Sequence, residues 1–214
     1  MLVEERMKHP VLTIAPDVPV QEALLRMKKD KVRRYPVVDK RGKLVGIITE
    51  SDLMNASPSD ATTLSVWEIN SLLSRITVER VMTKEVQTVH ADDTIEKAAR
   101  LMADMKIGGM PVLRGDKIVG MITETDLFNI FIEMLGARVP GVRVTVQVPD
   151  RPGELNELTG AISALGGNIV GMAAIQGEFT GMMAVTIKVS GVGLNALRTA
   201  LTSVVDKILD IREE

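Results

Sequence analysis

Two short stretches of the chain combine residue types that could hold a ligand. Each ends an apolar strand with a threonine and places an aspartate three residues later: Gly46-Ile-Ile-Thr-Glu-Ser-Asp52 and Gly120-Met-Ile-Thr-Glu-Thr-Asp126. Where a strand turns into a helix, the first amides of the helix are free to bind anionic groups, and a carboxylate beside them can accept both hydroxyls of a ribose. The same residues also suit a helix cap, in which Thr49 or Thr123 accepts from the orphan amides and Asp52 or Asp126 stabilises the positive end. The motif alone leaves both interpretations open.

The composition limits the chemistry that the chain can perform. Of its 214 residues 45% are hydrophobic and 25% are charged, which is ordinary for globular domains. The chain has no cysteine, and His9 and His90 are its only histidines, so thiol chemistry is excluded and a histidine-based catalytic or zinc site is poorly supplied. We therefore predict no catalytic residue, no metal site and no required cofactor.

The charge and hydropathy patterns bear on partners and location. A formal net charge of −2 gives no basic surplus of the kind that favours nucleic acid. The sequence has no apolar run of about 18 residues, and its start lacks the layout of a signal peptide. We expect a cytoplasmic protein that binds neither a membrane nor nucleic acid.

The two corners belong to a longer internal repeat. Val20, Ala23, Leu24 and Met27 have the spacing of one helical face, and the same pattern returns 75 positions later, at Ile95, Ala98, Ala99 and Met102. An extended segment precedes each helix, at 11–14 and 86–89, and a strand, a tight turn and a second strand follow it. Each unit of about 55 residues is marginal as an independent core, so we predict that the two pack as one pseudo-symmetric pair.

Residues 57–75 connect the two units. A polar loop is followed by an apolar pattern typical of a helix, which contains the only tryptophan. We interpret Trp67 as a packing anchor of this connecting helix.

The repeat is asymmetric just ahead of its central strands. The first unit has Lys31-Val-Arg-Arg34 where the second has Lys106-Ile-Gly-Gly109. Arginine offers a planar fork of donors suited to phosphate, whereas glycine permits close approach of the backbone. The two sites should therefore not bind identically, although a solvated basic turn is an equal alternative for the first.

The repeated unit resembles the cystathionine β-synthase (CBS) domain, whose hallmarks are an apolar-Pro-Val-Val strand and a Gly-apolar-apolar-Thr-x-x-Asp corner. The resemblance implies a paired module that binds AMP, ADP, ATP or another adenosyl compound in its clefts. It implies that Asp52 and Asp126 hold ribose hydroxyls, with Thr49 and Thr123 assisting. The other residues that it places beside the ligand are Thr13, Tyr35, Pro36, Thr88, Met110 and Pro111. From the asymmetry ahead of the central strands we add Arg33, Arg34 and Gly109 to the predicted nucleotide site.

The last seventy residues have a different pattern. Four valines alternate with polar residues from Val142 to Val148, and the turn Asp150-Arg-Pro-Gly153 leads into a helix that ends at Gly166-Gly167. Two strands, at 168–175 and 183–189, a second helix and a final strand follow. This βαββαβ order predicts a ferredoxin-like sandwich of two helices on a four-stranded antiparallel sheet, so the whole chain is of the α+β class.

This region resembles the ACT domain, an amino-acid-sensing module of metabolic regulators. The resemblance implies self-association through the domain and an amino-acid site at the interface, formed by Asp150, Arg151, Pro152, Gly153 and Asn168. The alternative is structural, because Asp-Arg-Pro-Gly is also a good turn.

The order CBS, CBS, ACT is similar to that of the acetoin-utilisation regulatory proteins of bacteria. We predict CBS units at 1–56 and 76–135, linkers at 57–75 and 136–141, and an ACT domain at 142–214. The predicted function is that of a non-catalytic, homodimeric regulator that binds small-molecule effectors and acts on a protein partner the sequence does not identify. An enzyme or a nucleic-acid-binding accessory protein is the alternative.

Overall fold

The structure, a computed structural model, describes residues 1–56 and 76–214, which divide into two compact units, Met1–Leu127 and Phe128–Glu214. The predicted connecting helix and Trp67 lie outside the described residues. Each unit is considered by itself below.

The N-terminal unit contains two copies of the predicted repeat. The first copy consists of α1 (Val20–Asp30), β1 (Arg34–Val38), β2 (Leu44–Thr49) and α2 (Glu50–Asn55). The second consists of α3 (Val78–Val81), β3 (Val89–His90), α4 (Ile95–Met105), β4 (Gly109–Arg114), β5 (Lys117–Thr123) and the start of α5 (Glu124–Met134).

The apolar faces predicted for the two helices form the cores of the repeats. Val20, Ala23 and Met27 of α1 are buried against β1 and β2, which pair antiparallel. In the second repeat the equivalent buried residues of α4 are Ile95, Ala98 and Met102. Burying a large apolar side chain such as isoleucine or methionine stabilises the fold by roughly 1.5–3 kcal/mol, and burying an alanine contributes less.

One predicted strand is wrong. Residues 11–14 do not form a strand, since only Ile14 makes an isolated parallel bridge, to Val37 of β1. The equivalent segment of the second repeat forms the two-residue strand β3, in which Val89 pairs with Val112 of β4.

The two repeats exchange their leading segments. Lys8, ahead of the first repeat, exchanges two backbone hydrogen bonds with Met121 of β5, at 2.8 and 3.1 Å. Thr83, at the matching position ahead of the second repeat, does the same with Ile47 of β2, at 2.9 Å in both directions. Each sheet is thus extended by the other repeat, which is why neither repeat is a self-contained fold.

The glycines that open the two corner motifs make this exchange sterically feasible. A Cβ at Gly46 would collide with Sδ of Met82, and a Cβ at Gly120 would collide with Sδ of Met7 and lie 3.0 Å from the carbonyl oxygen of Lys8. The hallmark glycine therefore leaves room for a methionine of the opposite repeat.

The C-terminal unit has the predicted βαββαβ order. It consists of β6 (Val142–Pro149), α6 (Glu154–Ala164), β7 (Asn168–Gln176), β8 (Met182–Ser190), α7 (Leu194–Thr202) and β9 (Lys207–Glu213). The strands form an antiparallel sheet in the order β7-β8-β6-β9. The core lies between this sheet and the two helices, with the valines of β6 facing Leu158, Ile162, Leu197 and Leu201.

Candidate functional site

The first corner is a reciprocal helix cap at the start of α2. The Thr49 hydroxyl donates to Asp52 Oδ2 at 2.7 Å and accepts from the Asp52 amide at 3.2 Å, while the Thr49 amide donates to the same Oδ2 at 2.9 Å. Such a box satisfies amides that would otherwise lack partners. Within residues 1–56 and 76–214, no side chain pairs with the second carboxylate oxygen, Oδ1.

The second corner repeats this geometry at the start of α5. The Thr123 amide and hydroxyl both donate to Asp126 Oδ2, at 2.9 and 2.5 Å. Asp126 is 8% exposed, and its Oδ1 lies 3.6 Å from Nζ of Lys8, whose side chain is 66% exposed. Oδ2 thus serves the cap, and Oδ1 faces a lysine that is mostly exposed to solvent.

These corners combine the two interpretations of the motif. Oδ2 of each aspartate bonds to the threonine of the cap, and within the described residues Oδ1 takes no part in the cap. The two threonines act chiefly by orienting the aspartates, since their hydroxyls are already engaged.

An open cleft of about 640 Å³ lies beside the Asp126 corner, a size in the range of small-molecule sites. It is lined by the segment ahead of the first repeat, by the turn between α1 and β1, and by the ends of β4 and β5. The lining residues are Met7, Lys8, His9, Pro10, Val11, Leu12, Lys31, Val32, Arg33, Arg34, Gly108, Met121, Thr123 and Thr125.

Arg34 crosses from the first repeat to the second. A Cβ at Gly108 would lie 2.6 Å from Arg34 Nη2, and a Cβ at Gly109 would collide with Arg34 Nη1. Gly109 also has φ of 154°, a conformation that side chains disfavour. The positions at which the two repeats differ most, Arg33-Arg34 and Gly108-Gly109, therefore meet in the structure. The side chain of Arg34 in the first repeat lies on the two glycines of the second.

The Arg34 guanidinium is half-buried. Burial, followed by the charge of Arg33, lowers its pKa, and Glu124 acts in the opposite direction. No ion pair or side-chain hydrogen bond to Arg34 is formed within the part of the chain that the structure describes, so its donors are available to a ligand.

Several side chains predicted to line the adenine lie elsewhere. Tyr35 and Met110 are buried in the cores of their repeats, and Pro36 and Pro111 are buried beside them. The Tyr35 hydroxyl donates to Asp30 at 2.7 Å, and burial together with that bond raises the tyrosine pKa. These four residues can offer a ligand their main chain but not their side chains in this arrangement.

Thr13 and Thr88 are not among the residues that line the cleft. Thr13 is exposed and Thr88 is half-buried. Their role at a ligand stays a prediction.

The sequence interpretation missed the segment from Met7 to Leu12. A signal for the segment was present, because Met7 and Lys8 have the same 75-residue offset to Met82 and Thr83 as the helices have. The offset reveals equivalence but not that each segment pairs with the opposite repeat.

The predicted amino-acid site lies at the start of α6. Gly153 has φ of 94°, and Arg151 Nε donates to the buried carboxylate of Glu154 at 2.7 Å, a bond that raises the pKa of Arg151. Asp150 and Asn168 are exposed, and within the described ranges no side-chain bond joins the turn to Asn168. One copy of the domain does not assemble these residues around a shared pocket.

The described residues contain no group of three or more histidine, aspartate or glutamate side chains placed to hold a metal ion. Among the helices outside 57–75, none has the length and apolar character needed to span a bilayer.

Models of two domain families match the sequence. The CBS domain matches residues 3–59 and 78–133, and the TTHA0829-like ACT domain matches residues 140–212. A CBS domain-containing protein of Dictyostelium discoideum is 32% identical over 136 residues, which is 63% of this chain and 94% of that protein. The L-aspartate semialdehyde sulfurtransferase of Methanocaldococcus jannaschii is 30% identical over 131 residues, 61% of this chain, but the match spans only 23% of the enzyme.

Solved structures show the same pair fold. The CBS domain pair of protein MJ0100, solved with 5′-methylthioadenosine and S-adenosylmethionine, has 29% identity and a TM-score of 0.52, covering 64% of this chain and 98% of its own. An acetoin utilization protein (AcuB) of Vibrio cholerae has 29% identity and a TM-score of 0.53, with coverages of 64% and 95%. CBSX2 in complex with AMP has 26% identity and a TM-score of 0.50, with coverages of 61% and 96%.

The exchanged segments, the two Thr-x-x-Asp corners and the four-stranded C-terminal sheet agree with these matches. The chain belongs to the CBS-domain family, as a tandem CBS pair followed by a TTHA0829-like ACT domain.

Proposed function

We propose that the protein is a non-catalytic sensor that binds an adenosyl ligand at its CBS corners. The observation that carries this proposal is that each aspartate uses one carboxylate oxygen for the helix cap: Oδ2 accepts from the threonine, and Oδ1 makes no bond to the cap within the described residues. A carboxylate oxygen held in this way can accept a ribose hydroxyl without any loss of the cap. The adenosyl complexes of the MJ0100 pair and of CBSX2 support the ligand class.

The ligand acts by shifting a conformational equilibrium. It must bind the two states unequally, and a coupling of about 1–3 kcal/mol would change the affinity for a protein partner by one to two orders of magnitude. The likeness to the Vibrio cholerae protein supports a place among regulators of acetoin utilisation.

The ACT domain joins two copies of the chain and forms an amino-acid site where they meet. The exposed turn residues and Asn168, which one copy leaves apart, support a site completed by a second copy.

The ligand proposal is tested by thermal unfolding with AMP. At a hundredfold excess over its dissociation constant, AMP should stabilise the folded state by about 2.7 kcal/mol per site. Replacing either aspartate by asparagine keeps an acceptor oxygen for the cap but weakens the ribose contact. Asp52→Asn and Asp126→Asn should each reduce the rise in melting temperature caused by AMP. The double variant should abolish it.

Asp116→Asn, in the exposed turn between β4 and β5, is the matched control and should leave the shift unchanged. A double variant that keeps the full shift by AMP while melting at a lower temperature would show that the two aspartates are caps only.

A further inference from the structure

The cleft at the Asp126 corner has an uneven charge. Four of its lining side chains are cationic, namely Lys8, Lys31, Arg33 and Arg34, and none is acidic. The acids closest to them are Asp126, opposite Lys8, and Glu124, near Arg34. A cleft with this surplus of positive charge attracts anions and repels cations.

The repeat supplies an internal comparison. An offset of 75 residues aligns Lys8, His9, Lys31 and Arg33-Arg34 with Thr83, Lys84, Lys106 and Gly108-Gly109. The second set has two lysines and no arginine, where the first has two lysines and two arginines. The two arginines are therefore not part of the repeated motif.

Arg34 is the residue that makes the difference. Its backbone belongs to the first repeat, where it pairs with Thr49, but its guanidinium lies on the backbone of Gly108 and Gly109. A half-buried guanidinium loses hydration, and this loss is normally offset by an acidic partner or an acceptor. Glu124 is near, yet no ion pair forms between them within the described residues.

We propose that the Asp126 cleft selects adenosyl ligands that carry a phosphate chain, and that Arg34 is its specificity-determining residue. The ribose lies at Asp126, and the phosphates extend toward Arg34, Arg33 and Lys31. This inference rests on the proposed binding of an adenosyl ligand, and it narrows the class to nucleoside di- and triphosphates. Uncharged adenosine lacks any anionic group that the four cations would bind. S-adenosylmethionine offers a single carboxylate, together with a cationic sulfonium and an ammonium group that the four cations repel.

The experiment measures the binding of ATP, ADP, AMP, adenosine and S-adenosylmethionine to the full-length Asp52→Asn variant. In this variant the ribose contact at the first corner is weakened, so the measured binding reports on the Asp126 cleft. Equilibrium dialysis should give affinities that rise with the number of phosphates, with ATP at least about tenfold tighter than adenosine. Raising the salt concentration should weaken ATP and leave adenosine nearly unchanged.

Arg34→Ala in the same background should weaken ATP by about tenfold or more and adenosine by less than twofold. Arg34→Lys, which keeps the charge but not the fork, should fall between them. Arg41→Ala, an exposed arginine in the turn between β1 and β2, is the matched control and should change neither affinity. If Arg34→Ala does not fold, as judged by circular dichroism, Arg33→Ala provides the same comparison.

Three outcomes overturn the inference. Equal affinities for ATP and adenosine would remove the selectivity, as would S-adenosylmethionine binding more tightly than ATP. An equal loss of ATP and adenosine on Arg34 replacement would make the arginine structural. In each case the adenosyl site itself stands, whereas no binding of any of the five compounds would overturn the proposed function as well.

Discussion

The aspartate of each corner serves two purposes with two oxygens. Asp52 and Asp126 hold their threonines through Oδ2 alone, so the helix cap does not compete with a ligand for the carboxylate. Losing a capping side chain typically costs about 0.5–2 kcal/mol, and this cost must be separated from any loss of binding. Asparagine is therefore a more informative replacement than alanine.

Lys31 and Lys106 are the two non-glycine residues with positive φ in the described chain, both at 54°. Each follows the last residue of a helix, and the next residue, Val32 or Ile107, donates its amide to a carbonyl in the final turn at 3.0 Å. Glycine is the usual residue at this position. Lysine is therefore retained at a conformational cost, and Lys31 lines the cationic cleft.

Lys31→Gly should stabilise the protein by roughly 0.5–1 kcal/mol, because glycine adopts the left-handed conformation without steric penalty. Urea unfolding in the absence of nucleotide measures this change. Lys29→Gly, two residues earlier within α1, should destabilise by about the same amount, because there glycine only adds flexibility to the unfolded chain. Loss of stability in both variants would contradict the strain at Lys31.

The exchange of leading segments is the element-scale feature that builds the cleft. The segment ahead of the first repeat pairs with β5, which brings Lys8 to Asp126 and aligns residues 7–12 along the cleft. The first repeat and its leading segment thus contribute a wall to the cleft beside the aspartate of the second repeat.

Gly120→Ala should lower the free energy of unfolding by about 1–3 kcal/mol, because the added methyl group would meet Met7 and the Lys8 carbonyl. Met7→Ala removes the flexible part of this collision. The double variant should therefore be less destabilised than the sum of the two single variants, a coupling that chemical unfolding of all four proteins would measure.

Gly115→Ala provides a comparison at a glycine of the β4–β5 turn that has open space around it. Its effect comes only from a positive φ of 58° and should not depend on Met7. Strict additivity of Gly120→Ala and Met7→Ala would contradict the packing of the segment against β5.

At the scale of the whole molecule, the net charge of the chain is negative, whereas the charge of the residues that line the cleft is positive. The chain carries −2 overall, yet four cations with no acid line the cleft. Bulk electrostatics is thus a poor guide to the ligand, since a site responds to the charges within a Debye length of about 8–10 Å.

The two edge strands of the C-terminal sheet differ in their number of charged residues. The edge strand β9 has four charged residues in seven, Lys207, Asp210, Arg212 and Glu213, and exposed charges discourage pairing with another strand. The opposite edge strand, β7, has no charged residue in nine, and its Ile175 is 68% exposed. Of the two edges, β7 is the one suited to join a second copy.

If the proposed dimer forms through β7, Ile175→Lys should convert it into a monomer, because the added charge opposes pairing of two β7 strands. Sedimentation velocity measures the change. Leu209→Lys, on β9, is the matched control and should leave the dimer intact. If the amino-acid site lies between two copies, the heat of amino-acid binding should disappear together with the dimer. An Ile175→Lys protein that remains dimeric would exclude β7 as the interface.

Much of the fold follows from local patterns. The apolar spacing of α1 and α4, the alternation in β6 and the order of elements in the C-terminal unit were predicted and are present. The corner motifs were predicted as possible caps, and their atoms lie three residues apart, so local geometry alone determines them. The domain limits, the ligand residues and the amino-acid site stay predictions.

The sequence by itself determined the repeat, the element types and the placement of each threonine beside its aspartate, because these depend on contacts between near neighbours in the chain. Only the tertiary structure decided that the leading segments exchange, that Arg34 lies on Gly108 and Gly109, and that Tyr35 is in the core. These contacts join residues 36 or more positions apart or depend on how whole repeats pack, and no spacing along the chain encodes them. The sequence predicted from Arg33-Arg34 and Gly108-Gly109 that the two sites should differ, but only packing brings Arg34 onto those glycines.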